Sequence, residues 1–422
     1  MSKFLNLIKL ELTRILKSKI HWLFVIAFMI FSVSQTGAIL AGSDNTIRPP
    51  DKEDYENYNF EDLRLDIMTD KIGSLGYDFT HGSYYAAPLG ITKQVRLGKE
   101  DTLKVEHILE ELIGLKKQEF VKWFKDYNKC RRVVTDGDGS NSVPIMKNIP
   151  PAINPALTWN QFLKAMEKVS GMIGKGSDYS RNLIEEKLAS YKSYEDAVTD
   201  YNDLLHQDKI LGAVARWLSD YFGIMLAFLP VIIGVYLVHE DKRKQICEII
   251  YSKKISSVQL IYSRYAAALI SIMIVVLIAM FIPNTVIGLK LMKNGYEIDL
   301  LAFAKYSFGW LMPTVMMSLA VGFFISELFS GIAAIMVQFL WFYTSVFLYM
   351  GPITGYVGKQ IIPRFNTFGE YHKFESLLHE LVLNRICYSI ASIGIIALTA
   401  ILYACKRRGK MDVKTIFYRN QE

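Results

Sequence analysis

Six runs of uncharged, mainly apolar residues punctuate the chain, at 22–41, 221–238, 265–289, 306–326, 328–358 and 386–405. At about 1.5 Å per helical residue, each is long enough to cross the hydrocarbon core of a bilayer. With no water at that depth, the backbone must bond within its own segment, so each run is predicted to be a helix. Ahead of the first run, Leu5, Ile8, Leu12 and Ile15 recur at helical spacing, with Lys3, Asn6, Lys9, Thr13 and Lys17 on the opposite side. That pattern predicts an amphipathic helix over 1–20, lying in the membrane interface. The first span then covers 21–41.

The stretch 42–216 has a different texture and is long enough for a domain with its own core. It carries 28 acidic and 24 basic residues, against 13 and 24 in the rest of the chain. Val105, Ile108, Leu109, Leu112 and Ile113 follow the helical period and predict a helix over about 102–130. Residues 135–155 are dense in Gly, Asp, Asn, Ser and Pro and read as a protease-sensitive loop. Thr158 with Gln161 fits a capping box that opens a helix through Lys168. A third helical stretch is expected from Tyr179 onward into the second span, while 43–100 yields no assignment. Pro230 and Pro313 are candidates to kink their spans.

Charge placement sets the orientation. Segments 1–20, 239–264 and 406–422 carry 5, 6 and 6 basic residues, whereas the loops 290–299 and 359–380 carry 5 between them. By the positive-inside rule, both termini are cytoplasmic and 42–216 is extracellular. The expected fold is therefore an all-α polytopic membrane protein of six spans, with an interfacial helix before them and a mainly helical extracellular domain between spans 1 and 2. The net charge of +7 lies beside the apolar runs rather than on a basic domain, which argues against nucleic acid as a partner. The first run is too long for the apolar core of a signal peptide and lacks an A-x-A site. Four cysteines make no disulfide framework, and Cys130 reads as a small buried residue.

Several patterns have bland readings that fit better than functional ones. Glu327 is the only ionisable residue in 306–358, and it falls where a tight cytoplasmic hairpin is needed between two spans. His372, Glu375 and His379 would align on a helix, but they do not form H-E-x-x-H, and Leu377, Leu378, Leu381 and Val382 predict a helix resting on the outer interface. Asp136 to Asn141 resembles the opening of a calcium loop without the required Gly and Glu. The nearest match to a phosphate-binding loop, Gly171 to Ser177, has the wrong spacing. Apart from Glu327 the runs hold no Asp, Glu or His, which disfavours an intramembrane protease.

Between the second and third spans stands His239-Glu240-Asp241-Lys242-Arg243-Lys244-Gln245-Ile246-Cys247-Glu248-Ile249-Ile250-Tyr251-Ser252-Lys253-Lys254. An acidic residue ending the span, a basic cluster, a Glu and a short serine-containing stretch resemble the ABC-2 type exporter permeases, in which this segment is the coupling helix docked on an ATPase. The interfacial helix, the hairpin between spans 4 and 5, and the element between spans 5 and 6 are similar too. The proline often found after the serine is replaced here by Lys253 and Lys254, and the long insertion after span 1 departs from compact members.

The resemblance implies that residues 217–405 hold spans 2–6, with a coupling segment at 239–260, an extracellular element at 351–383 and a cytoplasmic tail at 406–422. Glu240, Lys242, Arg243, Glu248, Ser252 and Lys253 are the implied ATPase contacts. Leu226, Phe228, Gln338, Phe342 and Tyr343 are the implied lining of a path between two permease subunits. This chain would bind no cofactor, and ATP and Mg would sit on a separate ATPase, in two copies. The second permease would be identical or paralogous, and the whole would sit in the plasma membrane among lipid. An apolar path with few charges suits an amphipathic cargo: a peptide, an antimicrobial peptide or a lipid-like molecule. The alternative is a peptide-binding receptor or immunity protein that does not transport.

Overall fold

A computed structural model describes residues 2–55, 60–87, 92–121, 124, 153–189, 192–243, 254–348, 354–356 and 358–409. The elements begin with α1 (Ser2–Leu16), α2 (Lys19–Thr46), α3 (Phe60–His81), β1 (Tyr84–Ala86), β2 (Lys93–Val95) and α4 (Lys99–Ile113). Next come α5 (Trp159–Ile173), α6 (Arg181–Ala189), α7 (Tyr194–His206), α8 (Leu211–Arg243) and α9 (Ser257–Lys293). The last group is α10 (Ala302–Tyr306), joined by a π turn to α11 (Met312–Leu328), then α12 (Gly331–Tyr343), β3 (Thr354–Tyr356), β4 (Arg364–Phe365) and α13 (Tyr371–Arg407). The chain is an all-α polytopic membrane protein whose described strands form only two short antiparallel pairs.

Among the described residues, five helical stretches are long and apolar enough to cross a membrane: Lys19–Gly37, Leu211–Glu240, Ser257–Lys293, Ala302–Leu328 and Tyr371–Arg407. Within 328–358, the regular helix starts at Gly331 and passes into a π turn at Thr344–Leu348, giving a shorter apolar helix, Gly331–Val346. By contacts the chain divides into two compact units: residues 1–49 with 198–422, and residues 50–197. The second is narrower than the 42–216 stretch read from the sequence.

In the first unit, α1 and α2 are separated at Lys17 and Ser18. The Ser18 hydroxyl accepts from the His21 amide at 3.1 Å, and the Trp22 indole donates to the Leu16 carbonyl, so the break is capped from both sides. The centre is α11, with thirteen of its 17 residues buried. It meets α8 where two glycines face each other: a Cβ on Gly322 would stand 2.8 Å from the Val231 carbonyl oxygen, and one on Gly234 would stand 3.1 Å from that of Leu319. Only small residues allow backbones so close, the usual device where lipid leaves packing as the main attraction between helices. Around this centre the outward faces carry exposed apolar residues, such as Trp22, Ile26, Ile30 and Val33 on α2, which suits contact with acyl chains.

One reading needs correction here, that of a separate helix before the last span. Pro313 stands in the first turn of α11 directly after the π turn, where the ladder is already re-spaced, while Pro283 lies inside α9 and was not anticipated. The helix expected on the outer interface and the last span are one continuous helix, α13. The polar pair Asn384 and Arg385 interrupts the apolar run but not the backbone, because both side chains find partners inside the bundle.

The second unit packs α3, α4, α5 and β1 around Ile72, Leu75, Leu109, Leu112, Phe162 and Met166. The capping box is present, with Thr158 accepting from the Gln161 amide and the Gln161 side chain accepting from the Thr158 amide, and the helix extends to Ile173. The helix expected over 102–130 is shorter: Gly114, at φ 76°, ends α4 in the left-handed conformation that glycine adopts without steric cost. The unassigned region contains α3 and the β1–β2 hairpin. The stretch after Tyr179 breaks into α6, α7 and α8, with Lys209 and Ile210 at φ 48° and 55° between the last two. Residues 125–152, with Cys130, the calcium-like stretch and most of the glycine-rich loop, lie outside the described residues.

Candidate functional site

Helix ends gather into two polar clusters in the first unit, joined by an apolar middle. At the end near the N-terminus, α1 is fastened to the two helices that bracket the segment read as the ATPase contact. Arg14 donates to Glu240 near the end of α8 at 2.5 Å, and Arg264 near the start of α9 donates to Glu11 at 3.0 Å. Arg14 also reaches Glu11 at 3.3 Å, so two arginines and two carboxylates form one network. Glu11, Glu240 and Arg264 are buried, and pairing makes that tolerable, since a lone buried charge is costly. At the same end, Lys406 near the end of α13 bonds the carboxylate of Glu327 at 3.1 Å, and Arg407 donates to the Ile255 carbonyl.

Of the residues implied as ATPase contacts, Glu240 is therefore the buried anchor of α1. Lys242 and Arg243 stand in the last turn of α8. Glu248, Ser252 and Lys253 lie outside the described residues. Glu327 occupies the hairpin the sequence implies: α11 stops at Leu328, and Ser330 caps α12 by accepting from the Ala333 amide.

In the middle, the residues implied as path lining separate. Phe228 of α8 packs its ring against Phe339 and Phe342 of α12, with centroids 6.1 and 6.0 Å away. Gln338 is fully buried and donates to the Ala227 carbonyl, one residue beyond the carbonyl that Pro230 deprives of a helical donor. The Gln338 side-chain oxygen has no partner among the described residues. Tyr343 is half-buried at the last position of α12. Leu226, by contrast, lies in the bundle core with no exposed surface.

At the opposite end, residues 358–370 are drawn in among α8, α11 and α13 by side chains that capture their backbone. Asn384 donates to the carbonyls of Gly358 and Gln360, and Tyr388 to that of Lys359. Arg385 donates to Gln360 and Ile361, and Thr314 also donates to Ile361. Ile361 and Ile362 are fully buried. Irregular backbone inside a membrane protein requires this treatment, because each bare carbonyl would otherwise lack a donor. Asp220 accepts from Arg364 at 2.9 Å and from the Phe365 amide at 2.7 Å, fixing β4 on α8.

Arg216 is wholly buried nearby. It donates to Asp208 at 2.9 Å, and its guanidinium carbon lies 4.6 Å from the Phe374 ring centroid. Burial pushes the Asp208 carboxyl up and the Arg216 charge pulls it back. That pair spans the turn where Lys209 and Ile210 take positive φ, so the strained backbone is held by a buried ion pair. His372, considered above as a metal ligand, contacts Asp203 at 3.0 Å and Glu375 at 3.9 Å, and no group of three such side chains among the described residues has an arrangement that could hold a metal ion.

Over residues 116–405 the sequence matches the family model described as ABC-2 family transporter protein. The match begins inside 42–216, taking in the second half of what the sequence suggested was an insertion. No curated protein and no solved structure matches the chain.

Proposed function

The chain belongs to the ABC-2 transporter family, which makes it a membrane permease component of an ABC transporter working with a separate ABC ATPase subunit, and on that premise we propose that it exports an amphipathic cargo by alternating access. In this reading, 331–348 completes a sixth crossing, both termini and the segment 239–260 face the cytoplasm, and 42–216 lies outside. Two copies of the ATPase drive two permease subunits. ATP closes the ATPases, the coupling segment moves with them, and the helices it joins shift as one body. The plasma membrane is the expected location.

The observation that carries the proposal is the attachment of α1. Ion pairs to Glu240 and Arg264 brace the helix end before the coupling segment and the helix start after it. A push on that segment therefore reaches α1, α8 and α9 together. From α8 it reaches α11 through the glycine contact and α12 through Phe228 and Gln338. The apolar character of that contact suits a peptide or lipid-like cargo.

Charge reversal at Lys242, Arg243 and Lys244, or Ile249→Pro, is expected to abolish cargo-stimulated ATP hydrolysis while the chain still inserts and co-purifies as a helical protein. Unchanged stimulation in well-folded variants would remove the coupling role. An ATPase that co-purifies and hydrolyses ATP faster with this chain favours transport. A chain that binds peptide and brings down no ATPase favours the receptor alternative.

A further inference from the structure

On the first unit, at the end opposite the N-terminus, α10, the π turn and α13 enclose a cavity of about 250 Å³. Its wall is largely aromatic and aliphatic, with Tyr306, Trp310, Phe374 and Leu381 among the lining residues. Leu378 and Val382, one turn apart on α13, also line it and are 42% and 47% exposed, so its mouth opens on an apolar surface suited to acyl chains. None of this distinguishes a ligand site from an ordinary gap between helices.

The charges do. Arg385 lines the cavity, is 4% exposed and makes no ion pair among the described residues. Its donors are met by neutral groups: the Asn384 side chain, the Trp310 carbonyl, the Thr314 hydroxyl and the carbonyls of Gln360 and Ile361. Those bonds satisfy the guanidinium N–H groups but leave its positive charge uncompensated in a poorly polarisable interior, where an anion is strongly attracted. Lys305 lines the same cavity, is exposed and likewise has no ion pair among the described residues. Two carboxylates share the wall. Asp208 is neutralised by Arg216, and Asp299, which caps the Leu301 amide, offsets one charge, leaving a net positive site. The indole N–H of Trp310 is buried without an acceptor among the described residues.

We propose that this cavity binds an anionic amphiphile, its acidic head drawn to Lys305 and the Arg385 charge and its chain lying along Tyr306, Trp310, Phe374 and Leu378. An acidic phospholipid of the surrounding membrane is the occupant its lateral mouth fits. The inference does not depend on the transport reading.

Gly309 supplies a clean test, because it lines the cavity, is exposed, and has nothing within 4 Å of where a Cβ would stand. Gly309→Phe fills the cavity from its rim, and Lys305→Glu reverses the exposed charge. The full chain is reconstituted in phosphatidylcholine vesicles containing brominated phosphatidylglycerol or brominated phosphatidylcholine at equal mole fraction, and tryptophan quenching is read. The proposal expects more quenching by the anionic lipid, loss of that surplus in Gly309→Phe, and about two- to fivefold weaker apparent binding in Lys305→Glu. Dodecyl phosphate is expected to relieve the surplus and inorganic phosphate to leave it. Equal quenching by the two lipids, or a surplus that both variants retain, overturns the proposal. Relief by inorganic phosphate as strong as by dodecyl phosphate overturns the amphiphile and leaves a simple anion site. If Gly309→Phe fails to fold, the Lys305→Glu titration decides alone.

Discussion

Glu11 breaks the pattern of its own helix. It borders the apolar stripe of Ile8, Leu12 and Ile15, where a buried acid has no reason to be unless something basic waits across the contact. Arg264 waits there. Glu11→Gln is expected to cost about 3 kcal/mol, because it removes a buried charge that pairs with the Arg264 guanidinium, and Arg264→Glu alone should cost more by setting two acids together. The exchanged pair, Glu11→Arg with Arg264→Glu, should recover most of the loss in thermal unfolding. Additive losses would show that the two side chains do not interact.

Asp78, in the 50–197 unit, accepts from the Tyr179 hydroxyl at 2.7 Å. Burial raises this carboxyl above its ordinary value, and the Tyr179 bond lowers it less. A raised value in the folded state means that folding favours the protonated form. The unit should therefore gain stability as pH falls through that raised value and lose it as pH rises. Amide exchange in α3, corrected for intrinsic rates, is expected to slow between pH 7 and the ordinary carboxylate range, and Asp78→Asn should flatten the dependence.

Elements were legible in proportion to how local their causes are. The capping box of α5 needs only Thr158 and Gln161, and the hairpin at Glu327 follows from the length of two spans. The end of α4 at Gly114 was readable in principle, but the apolar period of 105–113 does not mark where it stops. What failed was whatever depends on a distant partner. The start of α13 was hidden by Asn384 and Arg385, whose acceptors include carbonyls about 25 residues earlier and the Thr314 hydroxyl on α11. The break between α7 and α8 rests on the Asp208–Arg216 pair, which no periodicity reveals. The contact of Gly234 with Gly322 is equally hidden, since neither glycine stands out without the other. Gly322→Leu should destabilise the bundle by about 1–3 kcal/mol or prevent its assembly, whereas Gly394→Leu, on α13 with nothing within 4 Å, should be tolerated. Equal behaviour of the two in a thermal stability assay would contradict the close approach of α8 and α11.

Membrane class was readable because hydropathy over six runs leaves few alternatives, and the family match agrees with the class the motifs suggested. The implied site was only partly readable. Phe228 and Phe342 meet, and Glu240 proves to be an anchor buried against α1, while Arg216, which donates to the Gly369 carbonyl at 3.1 Å, and Asp220 and Arg385 gave no hint that they hold 358–370 in place. The proposed exporter places the motor outside this chain, on the side of the membrane that the 239–260 segment faces.

Side is therefore the quantity to measure. With the four native cysteines replaced by serine, Ser252→Cys is exposed to a membrane-impermeant maleimide in intact cells and again after permeabilisation. Labelling only after permeabilisation is the predicted result and puts the segment where an ATPase can reach it. Labelling in intact cells would place it outside and contradict the account.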